Sequence, residues 1–278
     1  MTRGGLIAGV ARRLRAARLH FGHGTDNPRD EAAYLVLRGL GLPFDADLDP
    51  PVQRRQLKKV QRLARQRIEK RIPTAYLLRE AWLDGRSFYV DRRVIVPRSH
   101  IPFVLKTLDI APRRVLDLCT GCGCLAILAA YAFPGSRVDA TDLSSEALDV
   151  ARINVRRHRL TRRVKLIRSD LFAALRGRRY DLIISNPPYV ARAAMKALPA
   201  EYRYEPGMAL AGGSDGLELV NEIIARAQRH LRPGGLLVCE VGSGRAALER
   251  AHPRLPLRWP AEEVFVLRGK RPSSRAER

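Results

Sequence analysis

Two hydrophobic periods divide the chain. Up to about Trp82 the apolar positions recur every three to four residues, as one face of a helix requires. Leu6, Ile7, Val10 and Leu14 define a first helix. Asn27 then stands as an N-cap before Pro28, with Asp30 and Glu31 in the first turn, where a carboxylate meets the positive end of the helix dipole. A third helix carries Leu57, Val60, Leu63, Ala64 and Ile68 on one face, with Lys and Arg on the other. The period falls to two from Ser87 to Pro97, where Phe88 and Val90, then Val94 and Val96, alternate around Asp91-Arg92-Arg93, a pattern that predicts a β-hairpin.

From Arg113 short apolar runs alternate with amphipathic stretches. Val115 to Leu118, Arg137 to Thr141, Val164 to Ile167, Tyr180 to Ser185 and Leu236 to Val241 predict buried strands, Ser144 to His158 predicts a helix, and Val264 to Leu267 predicts a late strand. Continuous apolar strands separated by helices imply an α/β fold with a mostly parallel, doubly wound sheet covered on both faces. The predicted organisation is a helical N-terminal domain over residues 1–84, a β-hairpin linker over 85–98, a catalytic domain over 99–278, and a disordered basic tail from Gly269.

Composition limits what such a chain can do. Of 278 residues 46% are hydrophobic, enough for an ordinary core, so global disorder is excluded. The apolar stretch Leu125 to Phe133 is about half of what crosses a bilayer. Lys and Arg number 51 against 28 acids, a formal charge of +23, which favours contact with polyanions such as ribosomal RNA, although it also describes a solvated surface rich in arginine. The four cysteines, three of them at Cys119, Cys122 and Cys124, do not form a disulfide framework, and no secretory leader is read ahead of them, so the expected compartment is the cytoplasm. The first 20 residues lack acids and are Arg-rich; an ordinary first helix is preferred there over a transit peptide.

Ligands of open α/β sheets bind at the carboxyl ends of the strands. The turn after the first strand reads Asp117-Leu118-Cys119-Thr120-Gly121-Cys122-Gly123, and an acid, Asp142, follows nineteen residues after Gly123 at the end of the second strand, placed to accept from ribose hydroxyls. A dinucleotide site would show G-x-G-x-x-G and would not open on Asp117, whose charge repels a pyrophosphate. S-adenosylmethionine, with its cationic amino and sulfonium groups, suits an acidic strand end. Zinc at Cys119-x-x-Cys122-x-Cys124 lacks an obvious fourth ligand, and no metal is expected. The fourth strand ends in Asn186-Pro187-Pro188-Tyr189. An Asn oxygen and the Pro187 carbonyl can accept both N–H bonds of a conjugated NH2 group and orient its weakly nucleophilic lone pair, while Tyr189 stacks on the flat group. The tetrapeptide specifies a planar amine and leaves its owner, amide or adenine, open.

The tetrapeptide together with Val115 to Gly123 resembles the HemK-like family of protein-glutamine methyltransferases. The likeness spans almost the whole chain, including Val96-Pro97-Arg98-Ser99 and Glu201 to Leu217. Phe21 to Asn27, Tyr76 to Trp82 and Cys119 resemble its PrmB type, which modifies a glutamine on the third protein of the large ribosomal subunit. The resemblance implies a Rossmann-like, S-adenosylmethionine-dependent fold. It implies that Asp117, Cys119, Thr120, Gly121 and Gly123 hold the methionine part of the cofactor, Asp142 the ribose, and Asp170 with Leu171 the adenine. It further implies that Asn186 touches cofactor and glutamine, that Pro187, Pro188 and Tyr189 complete the glutamine clamp, and that Phe88 and Arg98 wall the pocket. Three departures from the family pattern are the short loop Pro260 to Glu263, Tyr204 where His is common, and Val241-Gly242-Ser243 without Asn. The rival expectations are release-factor glutamine methylation, adenine-amino methylation of nucleic acid, and a non-enzymatic ribosome-assembly factor.

Overall fold

A computed structural model describes residues 1–270 of the chain; most of the predicted basic tail lies outside them. The described residues divide into two compact units, one formed by residues 1–98 with 198–206, the other by 99–197 with 207–270.

The first unit is built on α1 (Arg3–Ala16), α2 (Pro28–Leu40), α3 (Arg54–Lys70) and the short α4 (Thr74–Leu78). Leu6, Ile7, Val10 and Leu14 are all buried, against Leu35, Val36, Val60 and Ala64. The predicted cap is present: Asn27 Oδ1 accepts from the backbone N–H of Arg29 and Asp30 at 3.0 and 2.9 Å. Helix α2 ends at Gly41, whose φ of 78° is the left-handed conformation that closes a helix.

The hairpin lies upstream of the predicted one. Strands β1 (Ala81–Leu83) and β2 (Arg86–Phe88) pair antiparallel across Asp84-Gly85, with φ of 50° and 71°, the pair of positive values a type I′ turn demands. The alternation from Phe88 to Val96 reports burial without a ladder. Val90, Val94 and Val96 are 1% exposed or less, but their backbone is irregular and side chains serve it. Tyr76 Oη donates to the Val94 carbonyl and Glu205 accepts from the Val96 N–H at 2.9 Å. The Asp91 turn is formed, with Val94 N–H donating to the Asp91 carbonyl.

Helix α3 carries Lys and Arg opposite its apolar face, as predicted, but one of its arginines lies inside the unit. Arg67 is 1% exposed and lies among acids: its guanidinium pairs Glu31 and Glu201, and Nη2 donates to the His20 carbonyl at 2.7 Å. Segment 198–206 is fixed within this unit by Glu201, which also accepts from Arg71 at 3.1 Å, and by Glu205, which takes both Arg98 nitrogens at 2.7 Å.

The second unit opens with α5 (Ile101–Thr107) and continues β3 (Arg114–Leu118), α6 (Cys124–Ala132), β4 (Arg137–Asp142), α7 (Ser145–Arg157), β5 (Val164–Arg168), β6 (Tyr180–Ser185), α8 (Arg192–Met195), α9 (Glu218–His230), β7 (Leu231–Glu240), α10 (Arg245–Ala251), β8 (Arg258–Ala261) and β9 (Val264–Arg268). Among the described residues the strands form a seven-stranded sheet in the order β5-β4-β3-β6-β7-β9-β8, parallel except at β9, which pairs antiparallel with β7 and β8. This is the predicted doubly wound, Rossmann-like sheet. Its central strands are buried on both faces, with Val115, Leu116, Leu182, Ile183 and Ile184 at 0% exposure. Edge strand β8 was not predicted, because Arg258 to Ala261 alternates too briefly to show a period; the short link Glu262-Glu263 joins it to β9. Among the described residues no helix is long and apolar enough to cross a membrane.

Candidate active site

The parallel register sets the site. Leu118 at the end of β3 pairs with Thr141 of β4 on one side and Ser185 of β6 on the other. The next residues of each strand, Cys119, Asp142 and Asn186, therefore emerge together at the carboxyl edge. Ser185 Oγ donates to the Leu118 carbonyl at 3.0 Å and ties the two inner strand ends.

Hydrogen bonds shape the turn after β3. Thr120 N–H donates to the Thr141 carbonyl at 2.9 Å, and Gly121 N–H donates to Asp142 Oδ2 at 2.9 Å. Asp142 Oδ1 accepts from Ser144 N–H at 2.9 Å, leaving further lone pairs on each oxygen. Asp142 thus braces the turn as well as facing the edge, and burial raises its pKa. The Asp142 carbonyl accepts from Ser169 N–H at 3.0 Å, which brings the end of β5, with exposed Asp170 and buried Leu171, beside the same edge.

Asp117 is fully buried inside the turn. Its Oδ2 accepts from Thr120 Oγ1 at 2.5 Å and from Ala126 N–H at 2.9 Å, while Oδ1 has no hydrogen-bond partner. Burial pushes its pKa up to about 7, helped by the Asp142 charge. A buried carboxylate oxygen without a donor is costly, so this atom marks a place for a cationic or N–H-bearing group.

The residues of the turn differ in what they contribute. Cys119 adopts φ 57° without being glycine, and burial holds its thiol well above the ordinary range, protonated. Gly121, at φ 55°, has open space where a Cβ would stand. Gly123 serves packing: a Cβ there would lie 3.1 Å from Ala151 of α7. All four cysteines are free thiols, and among the described residues no group of His, Cys, Asp or Glu is placed to hold a metal ion.

Beyond β6, Pro187 is buried and Asn186, Pro188 and Tyr189 are half-buried. Three glycines outside the predicted set clasp Tyr189. A Cβ on Gly212 would come within 2.6 Å of Tyr189 Cα, one on Gly216 within 2.4 Å of its carbonyl oxygen, and one on Gly242 within 2.6 Å of its ring. Val190 N–H donates to the Leu210 carbonyl and Gly212 N–H to the Val190 carbonyl, so the tetrapeptide continues into an isolated parallel bridge between Val190 and Ala211. The glycine runs at 212–216 and 242 were the available signal, and Gly242 occupies the stretch that departs from the family pattern.

The edge therefore collects Asp117, Cys119, Thr120, Gly121, Asp142, Leu171 and the 186–189 tetrapeptide in one unit, with Gly123 behind them and Asp170 at the rim. Phe88 and Arg98 belong to the helical unit, where Phe88 is buried and Arg98 pairs Glu205.

The protein is a methyltransferase: its sheet is doubly wound, with a glycine turn, an acid at the second strand end and this tetrapeptide on one edge, and residues 102–201 match the family model for the methyltransferase small domain. The chain belongs to the family of ribosomal protein uL3 glutamine methyltransferases. It is 51% identical to the protein of that name from Bordetella pertussis, over 91% of this chain and 89% of that one. It is 45% identical to the one from Neisseria meningitidis serogroup A, over 89% and 84%. Among solved structures, the hMettl16 catalytic domain in complex with MAT2A 3'UTR hairpin 1 shares the fold, at a TM-score of 0.51 and 17% identity over 86% of this chain and 90% of that chain.

Proposed function

We propose that this chain transfers a methyl group from S-adenosylmethionine to the side-chain amide nitrogen of a glutamine in ribosomal protein uL3, in the cytoplasm. One observation carries the reading: the pairing of Leu118 with both Thr141 and Ser185 sets the glycine turn, Asp142 and Asn186 side by side on a single sheet edge. The relatives' names supply the substrate.

The residues fit the cofactor. Asp117 Oδ1, buried and lacking a donor, suits a cationic group, and open space beside Gly121 lets a ligand approach the backbone. Asp142 keeps lone pairs for ribose hydroxyls, and Asp170 with Leu171 borders the adenine. When bound, S-adenosylmethionine supplies a methyl group activated on a sulfonium. Asn186 Oδ1 and the Pro187 carbonyl accept the two amide N–H bonds, turning the nitrogen lone pair out of conjugation and toward the methyl carbon. Pro188 fixes the backbone and Tyr189 stacks on the flat amide. Arg98 contributes to docking from the helical unit, which we assign to recognition of the protein substrate.

Ribosomal RNA beside the substrate would meet a basic cleft of about 560 Å³ at the opposite, amino end of the sheet. Arg114, Arg137, Arg162 and Lys165 reach it with no acid in ion-pair range among the described residues, while Asp139 is occupied by Arg178 at 2.9 Å.

Labelled S-adenosylmethionine, offered with purified uL3, release factors and ribosomal RNA, tests the reading. Label is expected on a uL3 glutamine amide and is expected to vanish with Asn186→Ala while the melting temperature stays put. Label on release factors or RNA would replace the substrate; activity retained by the variant would remove Asn186 from the mechanism.

A further inference from the structure

A second concave site lies wholly within the helical unit, a pocket of about 290 Å³ lined by His23, Thr25, Asp30, Tyr34, Phe44 and Trp82. That volume sits at the lower edge of small-molecule pockets, which run from about 300 to 1,000 Å³, and is ample for one inserted side chain. Three aromatic rings build the wall. Phe44 lies 5.9 Å from Tyr34 and 5.2 Å, edge to face, from Trp82 between centroids. Phe44 is 47% exposed, a large apolar ring held at the surface by its neighbours. Arg38 braces the Phe44 and Trp82 rings at 5.9 and 5.6 Å, its own charge answered by Glu80 at 2.8 Å.

The Thr25 and Tyr34 hydroxyls and the Trp82 indole N–H of the pocket already donate to Glu31, the Glu80 carbonyl and the Glu80 carboxylate, which leaves the Asp30 carboxylate as the acceptor for an occupant. The Asp30 carboxylate is exposed, and among the described residues its hydrogen-bond partner is Asn27 Nδ2, a neutral donor. His23 is 6% exposed, and neither of its ring nitrogens has a hydrogen-bond partner. Its Nε2 lies 3.7 Å from Glu205 Oε1, and burial pushes the imidazole pKa down to about 4 against the pull of that carboxylate, so the ring belongs to the interior of the unit. A cationic side chain in the pocket would meet the Asp30 carboxylate and the faces of the Phe44 and Trp82 rings.

The surroundings carry the same sign. In a chain of net charge +23, residues 19–51 hold six acids (Asp26, Asp30, Glu31, Asp45, Asp47 and Asp49) against two arginines (Arg29 and Arg38), a local charge of −4. Asp30 is the one of these acids that lines the pocket, and Glu31 is buried and paired with Arg67.

We infer that the aromatic pocket of the helical unit is a cation-recognition subsite, which takes an arginine or lysine side chain of the protein substrate between Phe44, Trp82 and Asp30. This deepens the proposed function and rests on its claim that the substrate is a protein. It gives a strongly basic enzyme a local means of holding a basic partner, and it leaves RNA to other surfaces.

Two measurements test it. The chain contains two tryptophans, so a Trp259→Phe background leaves Trp82 as the sole indole. Its emission is titrated with N-acetyl-arginine amide and with N-acetyl-leucine amide. Saturable change with the arginine compound alone, weakened about tenfold by Asp30→Asn, is expected from the loss of a cation's partner. Equal responses to the two amides would overturn the inference.

In the second measurement, the dissociation constant for purified uL3 is expected to rise about tenfold in Asp30→Asn and in Phe44→Ala, with kcat and cofactor affinity unchanged. Values within twofold of wild type, or a loss of RNA affinity instead, would overturn it. If uL3 fails to bind or accept methyl while arginine amide still binds at Trp82, the proposed substrate falls and the subsite stands.

Discussion

Asp117 and Glu240 are carboxyl groups placed where water does not reach them, and burial raises both to about 7. Glu240, at the end of β7, keeps donors from Ser99 Oγ and the His100 N–H; Asp117 has one oxygen with none. Between about pH 4 and pH 7 the folded protein holds protons that the unfolded chain releases, so these groups stabilise the fold most below about pH 4 and lose that contribution as pH rises through 7. In denaturant titrations across pH 5 to 7.5, the ligand-free wild type is therefore expected to lose stability relative to Asp117→Asn as pH rises. Parallel profiles would place the titration elsewhere. A cationic cofactor needs Asp117 ionised, so its affinity should climb over the same interval. Gly242 makes a different demand. At φ 51°, with a Cβ site 2.6 Å from the Tyr189 ring, Gly242→Ala should cost about 1–3 kcal/mol and reduce methyl transfer. Unchanged melting and unchanged rate would show that Tyr189 does not depend on this contact.

Among the elements, legibility followed the range of the interactions. The start of helix α2 was readable because its cap, Asn27, acts on its own backbone neighbours. The strands that frame the site were readable because a parallel sheet buried on both faces needs unbroken apolar runs. The hairpin was misplaced although Asp84-Gly85 advertises it, since the stronger alternation downstream belongs to coil whose backbone groups find side-chain partners such as Glu205. Arg67 was hidden for a similar reason: its neighbours on α3 are solvated cations, and what buries it are acids 36 and 134 residues away. Removing it strands those acids. Arg67→Met should cost about 3–5 kcal/mol, the usual consequence of leaving buried charges unpaired. Chemical denaturation would check this, and a loss below about 1 kcal/mol would mean Thr74 and Arg71 suffice for Glu31 and Glu201. The glycines that clasp Tyr189 were visible as glycines at 212–216 and 242, but no local pattern says which ring a distant glycine will meet.

Over the whole molecule, the charge of +23 is spread unevenly. If the cleft at the amino end of the sheet binds RNA, replacing Arg114, Arg137, Arg162 and Lys165 by Gln should flatten the dependence of log affinity on log salt by about 3, at roughly 0.7 to 0.9 per phosphate contact. The control removes the same charge from α3, at Lys58, Lys59, Arg62 and Arg65. Equal flattening by both variants would show that the cleft has no privileged role.

Segment 198–206 has a consequence for how this enzyme can be recombined with its relatives. It follows the tetrapeptide in sequence, yet it belongs to the helical unit through Glu201 with Arg67 and Glu205 with Arg98. The helical unit is thus written in two separate stretches of the gene. A chimera that imports residues 1–98 from a relative of different specificity would confront foreign arginines with native glutamates, and its buried charges would balance only if both stretches travelled together.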